Sequence, residues 1–203
     1  MKLSILYNTT AKRGFKSGWG FSRLIDEKIL FDTGADSESL LYNMDKLNIN
    51  PDAISKIVIS HRHYDHTGGL SGLLNRIKGN KPIIIWPDNK HSFKVSEGIY
   101  STGALSSGPL GPKEQSLVIE SPKGAILVVG CSHPGVDNIL KAAKRIGGNI
   151  YAIIGGFHDF DKIDELDGIE LIGACHCTQH LQEIKKKFPA NFKEINAGDV
   201  YDL

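Results

Sequence analysis

The feature that most restricts what this chain can fold into is a short apolar run that passes without a break into a cluster of histidines. Lys56-Ile57-Val58-Ile59-Ser60 is followed at once by His61-Arg62-His63-Tyr64-Asp65-His66-Thr67-Gly68-Gly69. A β-branched run that does not alternate with polar residues reads as a strand buried on both faces, so the sheet needs cover on each side. The loop leaving it places His61, His63, Asp65 and His66 within six positions, all of them metal-competent. The whole chain has only eight histidines, so this clustering points away from an ordinary solvated loop. His61 and His63, two apart, point the same way if the extended backbone persists past the strand, whereas the adjacent Asp65 and His66 must diverge or curl in a tight turn. The spacing favours two metals side by side, imidazoles on one and carboxylate plus imidazole on the other. Gly68-Gly69 then lets the backbone turn closely into an amphipathic helix over 70–77.

Around this segment the periodicity predicts strands at 2–7, 21–26 and 28–31 in an antiparallel meander, then a helix over 37–47. That helix has Leu40, Leu41, Met44 and Leu47 on one stripe, Asp36 or Ser37 as its cap, and Pro51 beyond its end. A second round gives a strand at 82–86, an irregular Gly/Ser/Pro-rich region over 98–112 in which 103–112 reads as a surface loop, and strands at 116–120 and 125–129. Helix 136–146, strand 150–154, a loop over 155–161, strand 169–172, helix 178–187 and a last strand at 192–195 complete it. The runs 56–59, 83–86 and 125–129 are expected to be buried. Paired strands punctuated by helices imply an α+β fold, a mixed sheet or two stacked sheets with helices outside. No internal repeat is evident, and 203 residues suit one domain spanning 1–203.

Composition narrows the partners. Lys+Arg 24 against Asp+Glu 23 gives a net charge of +1, without the cationic excess that binding to nucleic acid uses. Hydrophobic residues at 40% and charged residues at 23% exclude disorder, collagen-like repeats and a coiled coil. No apolar run approaches the roughly 18 residues of a membrane span, and the start, MKLSILYNTTAKRGF, is too short in apolar residues for a secretory core. A cytoplasmic protein acting on a small molecule is the expectation, with oligomeric state open. Three cysteines, Cys131, Cys175 and Cys177, are no disulfide framework, and the sequon at Asn8 reads as a chance match.

Other candidates lie downstream. His133 in Gly130-Cys131-Ser132-His133-Pro134-Gly135 follows a strand and precedes a helix, a position typical of functional side chains. His176 stands between Cys175 and Cys177, where the imidazole is favoured over a C-x-C metal motif and the cysteines read as small apolar neighbours. His158 in Gly155-Gly156-Phe157-His158 is open between ligand, substrate contact and supporting partner. His91 and His180 lack a motif and read as surface residues. Asp32 is expected to brace the ligand loop by hydrogen bonding, since ligating imidazoles donate their other N–H. Arg62, Tyr64, Lys12, Arg13 and Lys16 could contact phosphate or simply be solvated.

Two other chemistries compete. Asp32-Thr33-Gly34 has the form of an aspartic-protease hairpin, but it occurs once and leaves the histidines unused. Gly130-Cys131-Ser132-His133-Pro134 has the place of a nucleophile elbow, but Pro134 breaks the second glycine of G-x-S-x-G. A non-catalytic metal-binding sensor is a third reading.

The segment His61-Arg62-His63-Tyr64-Asp65-His66 resembles the H-x-H-x-D-H signature of the metallo-β-lactamase superfamily, and Phe31-Asp32-Thr33-Gly34 resembles its F-D-T-G turn. The segments at 130–135, 154–158 and 176–178 are similar to a narrower branch of small archaeal and bacterial metal-dependent hydrolases. That branch includes a dihydropterin–ribofuranosylaminobenzene phosphate synthase. The resemblance runs from about residue 2 to the C-terminus and implies a four-layer αββα sandwich with metals at the sheet edge. It implies that His61, His63 and His133 hold one divalent ion and Asp65, His66 and His176 the other, with zinc first and iron, manganese or nickel as substitutes. It further implies a hydrolase using metal-bound hydroxide that Asp65 helps to orient, or transfer of a pterin from a pyrophosphate substrate. Where many members place a bridging aspartate, this chain has Cys131-Ser132-His133, with no carboxylate. On charge alone, that favours phosphate-bearing substrates.

Overall fold

The structure, a computed structural model, describes residues 1–202. In chain order the elements are β1 (Lys2–Tyr7), β2 (Ser22–Ile25), β3 (Ile29–Phe31), α1 (Ser37–Lys46), β4 (Lys56–Val58), α2 (Tyr64–Thr67), α3 (Leu70–Arg76) and β5 (Ile83–Ile85). They continue with β6 (Phe93–Ser96), β7 (Ile99–Ser101), β8 (Leu105–Ser106), β9 (Lys113–Glu114), β10 (Leu117–Ile119) and β11 (Ala125–Val128). The last are α4 (Val136–Gly147), β12 (Ile150–Gly156), β13 (Leu171–Cys175), α5 (Leu181–Lys187) and β14 (Val200–Asp202). They form two compact units, one from Met1–Trp86 with the C-terminal stretch from Ile195, the other from Pro87–Glu194. Among the described residues no helix is long and apolar enough to cross a membrane.

The first unit is a six-stranded mixed sheet in the order β14-β1-β2-β3-β4-β5. The β2–β3 turn puts Asp26 (φ 46°) and Glu27 (φ 58°) in the left-handed region, at the centre of a turn that the Lys28 N–H closes on the Ile25 carbonyl at 3.0 Å before Ile29 pairs with Ile25. Helix α1 starts where the sequence indicates, with Asp36 accepting the Ser39 N–H at 2.7 Å. Leu40 and Met44 of α1 and Leu73 of α3 pack with Leu6, Leu24, Leu30, Ile57 and Ile59 in one core cluster. Antiparallel pairing holds from β14 to β3, as the expected meander requires, and β3, β4 and β5 are parallel.

The second unit is a six-stranded sheet in the order β13-β12-β11-β10-β7-β6. Here β6, β7, β10 and β11 are antiparallel in turn, and β11, β12 and β13 are parallel. Ile139, Leu140 and Ala143 of α4 and Ile184 of α5 pack with Val118, Leu127, Ile153 and Ile172 of the strands. The two units thus share one plan, an antiparallel half followed by a parallel half reached through helices, although the sequence shows no repeat. Each is one sheet layer with helices packed on it, the α+β class read from the sequence.

Several expectations need correction. The segment 192–195 is not a strand. It contributes a single bridge, Ile172 to Phe192, and the chain instead ends in β14, paired with β1. The irregular segment 98–112 contains β7 and β8, and β8 pairs with β9 in a small hairpin. The run 83–86 is not buried throughout, because β5 is an edge strand and Ile83 is 63% exposed. Runs 56–59 and 125–129 are buried apart from the partly covered Lys56. Strand 169–172 lies further on, at β13, and helix 178–187 begins only at Leu181.

Candidate metal centre

Parallel strands send their carboxyl ends to one edge of a sheet, so residues distant in sequence meet there. In the first unit that edge carries Asp32 after β3 and 60–66 after β4. In the second it carries Cys131, Ser132 and His133 after β11, His158 after β12 and His176 after β13.

The first cluster is built around a buried carboxylate. Asp32 is fully buried with φ 59°. Its Oδ1 accepts the Ser60 N–H at 2.7 Å. Its Oδ2 accepts the Ser60 hydroxyl at 2.7 Å and faces His66 Nδ1 at 2.7 Å. Having given its proton to Asp32, the Ser60 hydroxyl accepts from His61 Nδ1 at 2.9 Å. Both His61 and His66 therefore carry the proton on Nδ1 and keep the Nε2 lone pair for a ligand. His61 Nε2 lies 3.0 Å from His63 Nδ1. Two nitrogens on one tetrahedral zinc, with bonds of about 2.0–2.1 Å, stand roughly 3.3 Å apart, so the pair fits a common ion. Asp65 and His66 lie in the single helical turn α2, with Asp65 Oδ2 3.6 Å from His66 Nε2. The curl inferred from their adjacency is this turn.

Glycines let the surrounding backbone close on that turn. A Cβ on Gly68 would sit 1.9 Å from the Ala35 carbonyl oxygen, and one on Gly20 2.5 Å from that of Asp65. The Phe21 N–H donates to the Asp65 carbonyl at 3.2 Å, and the Thr33 N–H to that of His66 at 2.8 Å. Arg62 stacks over Trp86 at 4.5 Å. Lys12 pairs with Asp199 and Lys16 with Glu38. Tyr64 is 67% exposed.

The second cluster has a buried carboxylate that the sequence did not reveal. Glu114 Oε1 accepts the N–H groups of Cys131 and Ser132, both at 2.8 Å, and Oε2 accepts that of His133 at 2.9 Å. Ser132 (φ 64°), His158 (φ 47°) and His176 (φ 54°) all occupy the left-handed region, which costs non-glycine residues energy and collects at functional sites. The His133 and His158 rings lie 4.7 Å apart. Cys177 Sγ approaches the Cys131 carbonyl at 3.8 Å, which ties the His176 turn to the His133 turn. His176 is buried, as are its neighbours Cys175 and Cys177. His91 is exposed, and His180 pairs with Glu183 at 2.8 Å.

This geometry counts against the two competing chemistries. The Ser132 hydroxyl is buried and donates to the Gly156 carbonyl at 2.7 Å, so it is a structural donor and no nucleophile. The Asp32 carboxylate is occupied by Ser60 and His66, far from the shared-proton state of an aspartic protease. The Cys131–His133 turn has no carboxylate of its own, and Glu114 brings one to it. His61, Asp65, His66, His133 and His176, with Cys131, are donors of the kind that hold a divalent ion.

Comparison with known proteins agrees. Residues 24–136 match the family model of the metallo-beta-lactamase superfamily. The chain is 29% identical over 248 aligned positions to the 7,8-dihydropterin-6-methyl-4-(beta-D-ribofuranosyl)-aminobenzene-5'-phosphate synthase of Methanocaldococcus jannaschii, covering 87% of this chain and 84% of that protein. A solved metal-dependent hydrolase of the beta-lactamase superfamily superposes with a TM-score of 0.82 at 25% identity, covering 100% of this chain and 99% of the other. Zn(2+)-bound PqqB from Methylobacterium extorquens shares the fold, with a TM-score of 0.64 at 14% identity over 100% of both chains. On its matched residues, its two mixed sheets and its histidine loop, this chain belongs to the metallo-beta-lactamase superfamily.

Proposed function

We propose that this chain is a metal-dependent hydrolase acting on a phosphate-bearing small molecule. The observation that carries this reading is the first cluster, where His61 and His66 are held by Ser60 and Asp32 in the tautomers that leave Nε2 to a metal. His61, His63 and His133 would hold one divalent ion and Asp65, His66 and His176 the other, zinc first, with iron, manganese or nickel able to substitute. Such ions, when bound, acidify water and neutralise charge on a substrate. Asp65, as well as supplying a carboxylate oxygen to the ion, would orient the attacking water. Asp32 and Ser60 keep the imidazoles from rotating or changing tautomer. The bound charge favours anionic substrates over neutral esters or lactams, although the carboxylate of Glu114 weakens that preference.

A second reading, transfer of a pterin from a pyrophosphate ester to an arylamine, is supported by the similarity to the methanococcal synthase along most of both chains. Both readings test together. The protein is loaded with zinc, iron, manganese or nickel in turn and offered phosphodiesters, pyrophosphate esters, thioesters and lactams, with and without an arylamine. Hydrolysis of a phosphate ester that chelation abolishes supports the first reading. Consumption of a pterin pyrophosphate only when the arylamine is present replaces it with the second. Turnover that survives proven metal removal, or a preference for neutral lactams, overturns both.

A further inference from the structure

Glu114 ends β9 and is 1% exposed. Three consecutive N–H groups, those of Cys131, Ser132 and His133, converge on its two oxygens at 2.8, 2.8 and 2.9 Å. Consecutive N–H groups point the same way only when the backbone between them leaves the extended conformation, and Ser132, with φ 64°, does this. The turn is pinned from its other side by the Ser132 hydroxyl on the Gly156 carbonyl. Hydrogen bonds to a carboxylate are among the stronger ones, and burial keeps water from competing for them.

We infer that Glu114 is a positioning residue, whose carboxylate clamps the backbone of the Cys131–His133 turn and so fixes where the His133 imidazole points. This rests on the proposed role of His133 as a metal ligand. Glu114 would then replace, through three backbone contacts, the stiffness and the negative charge that a carboxylate within the turn would supply. Its place at the base of the β8–β9 hairpin, opposite Leu105, gives that hairpin a part in holding the turn.

The test compares wild type with Glu114→Gln, Glu114→Asp and Glu114→Ala, and it reads the turn and the metal separately. In metal-free wild type the amide protons of residues 131–133 should resonate far downfield and exchange slowly. In Glu114→Gln, where an amide donor faces one of the three N–H groups, they should move upfield and exchange faster. Zinc affinity by calorimetry should fall 10- to 100-fold in Glu114→Gln and Glu114→Ala, the usual cost of losing a partner behind a ligand, and recover in part in Glu114→Asp. Unchanged amide signals in Glu114→Gln overturn the inference. So does zinc affinity within twofold of wild type with only the melting temperature lowered. If Glu114→Ala fails to fold, Glu114→Gln and the wild-type exchange rates still decide. A wild-type protein that takes up no metal refutes the proposed function, whereas the amide signals report on the clamp alone.

Discussion

At the scale of single residues, two buried carboxylates have parallel tasks. Asp32 binds Ser60 and His66 through side chain and backbone, and Glu114 binds three backbone N–H groups. Asp32→Asn keeps a side chain that tolerates φ 59°, but one acceptor oxygen then faces the donors that two oxygens satisfy now. A stability loss of about 1–3 kcal/mol is expected by urea unfolding of the metal-free protein, with zinc binding weakened because the His66 tautomer is no longer set. His61→Ala should lower bound metal below wild-type stoichiometry while far-UV circular dichroism stays native, since His61, although buried, lies outside the apolar cluster that packs the sheet against its helices. Full metal content in that variant would remove His61 from the ligand set. Gly68→Ala is a sharper steric test. Gly68 has an ordinary helical φ of −64°, where alanine usually stabilises. Its Cβ would nevertheless meet the Ala35 carbonyl oxygen at 1.9 Å, so a loss of about 1–3 kcal/mol is expected.

At the scale of elements, sheet position governs the response to substitution. Strand β4 lies between β3 and β5 with Ile57 and Val58 fully buried. Ile57→Ala should cost about 2–5 kcal/mol by transfer and cavity terms together. Strand β5 has β4 on one side and an open edge on the other, and Ile83 is 63% exposed. Ile83→Thr should change stability by no more than about 0.5 kcal/mol. Equal losses at the two positions, measured by the same denaturant titration, would contradict the sheet order.

At the scale of the whole molecule, the acid response follows from carboxylates held below their ordinary pKa: the exposed Asp52, through the Gly79 and Lys78 N–H groups, and the more covered Asp36, Asp137 and Asp199. Burial opposes ionisation of Asp36, but the Ser39 N–H and the Tyr7 hydroxyl outweigh it and hold its pKa below the ordinary 3.8. Burial likewise opposes ionisation of Asp137, which the hydrogen bond and charge of Lys162 overcome. In Asp199 burial is outweighed by Lys12, the Asn196 N–H and Tyr201. A carboxylate whose pKa is lower folded than unfolded adds stability above the unfolded value and loses it as pH falls through the folded one. The melting temperature of metal-free protein should therefore be insensitive to these groups above about pH 5 and fall below about pH 4. Asp137→Asn should flatten part of that decline. We also propose that the chain unfolds as one domain, because the unit 87–194 is inserted within a unit that the chain re-enters to complete its sheet. Coincident transitions by tryptophan fluorescence, reporting Trp19 and Trp86, and by amide exchange in 87–194 are expected. Two separate transitions would refute this.

The contiguous features of this protein were determined by its sequence alone. His61, His63, Asp65 and His66 lie on one loop after one strand, so spacing and strand polarity sufficed to group them, and the Asp36 cap and the α1 stripe are local for the same reason. Asp32 was half legible, since the need of a ligating imidazole for a partner suggested its role but not its bond to Ser60. What tertiary structure decided is non-local. Glu114 lies 17 to 19 residues from the amides it holds, in a glycine- and proline-rich segment with no periodic signal. Strand β14, three residues long and only partly covered, has no apolar alternation and exists because β1 offers it an edge. The exposure of Ile83 follows from which strand lies last in the sheet. A side chain carries its chemistry in its own identity, but its partners across the fold depend on strand order, register and backbone angles that no short window of residues encodes.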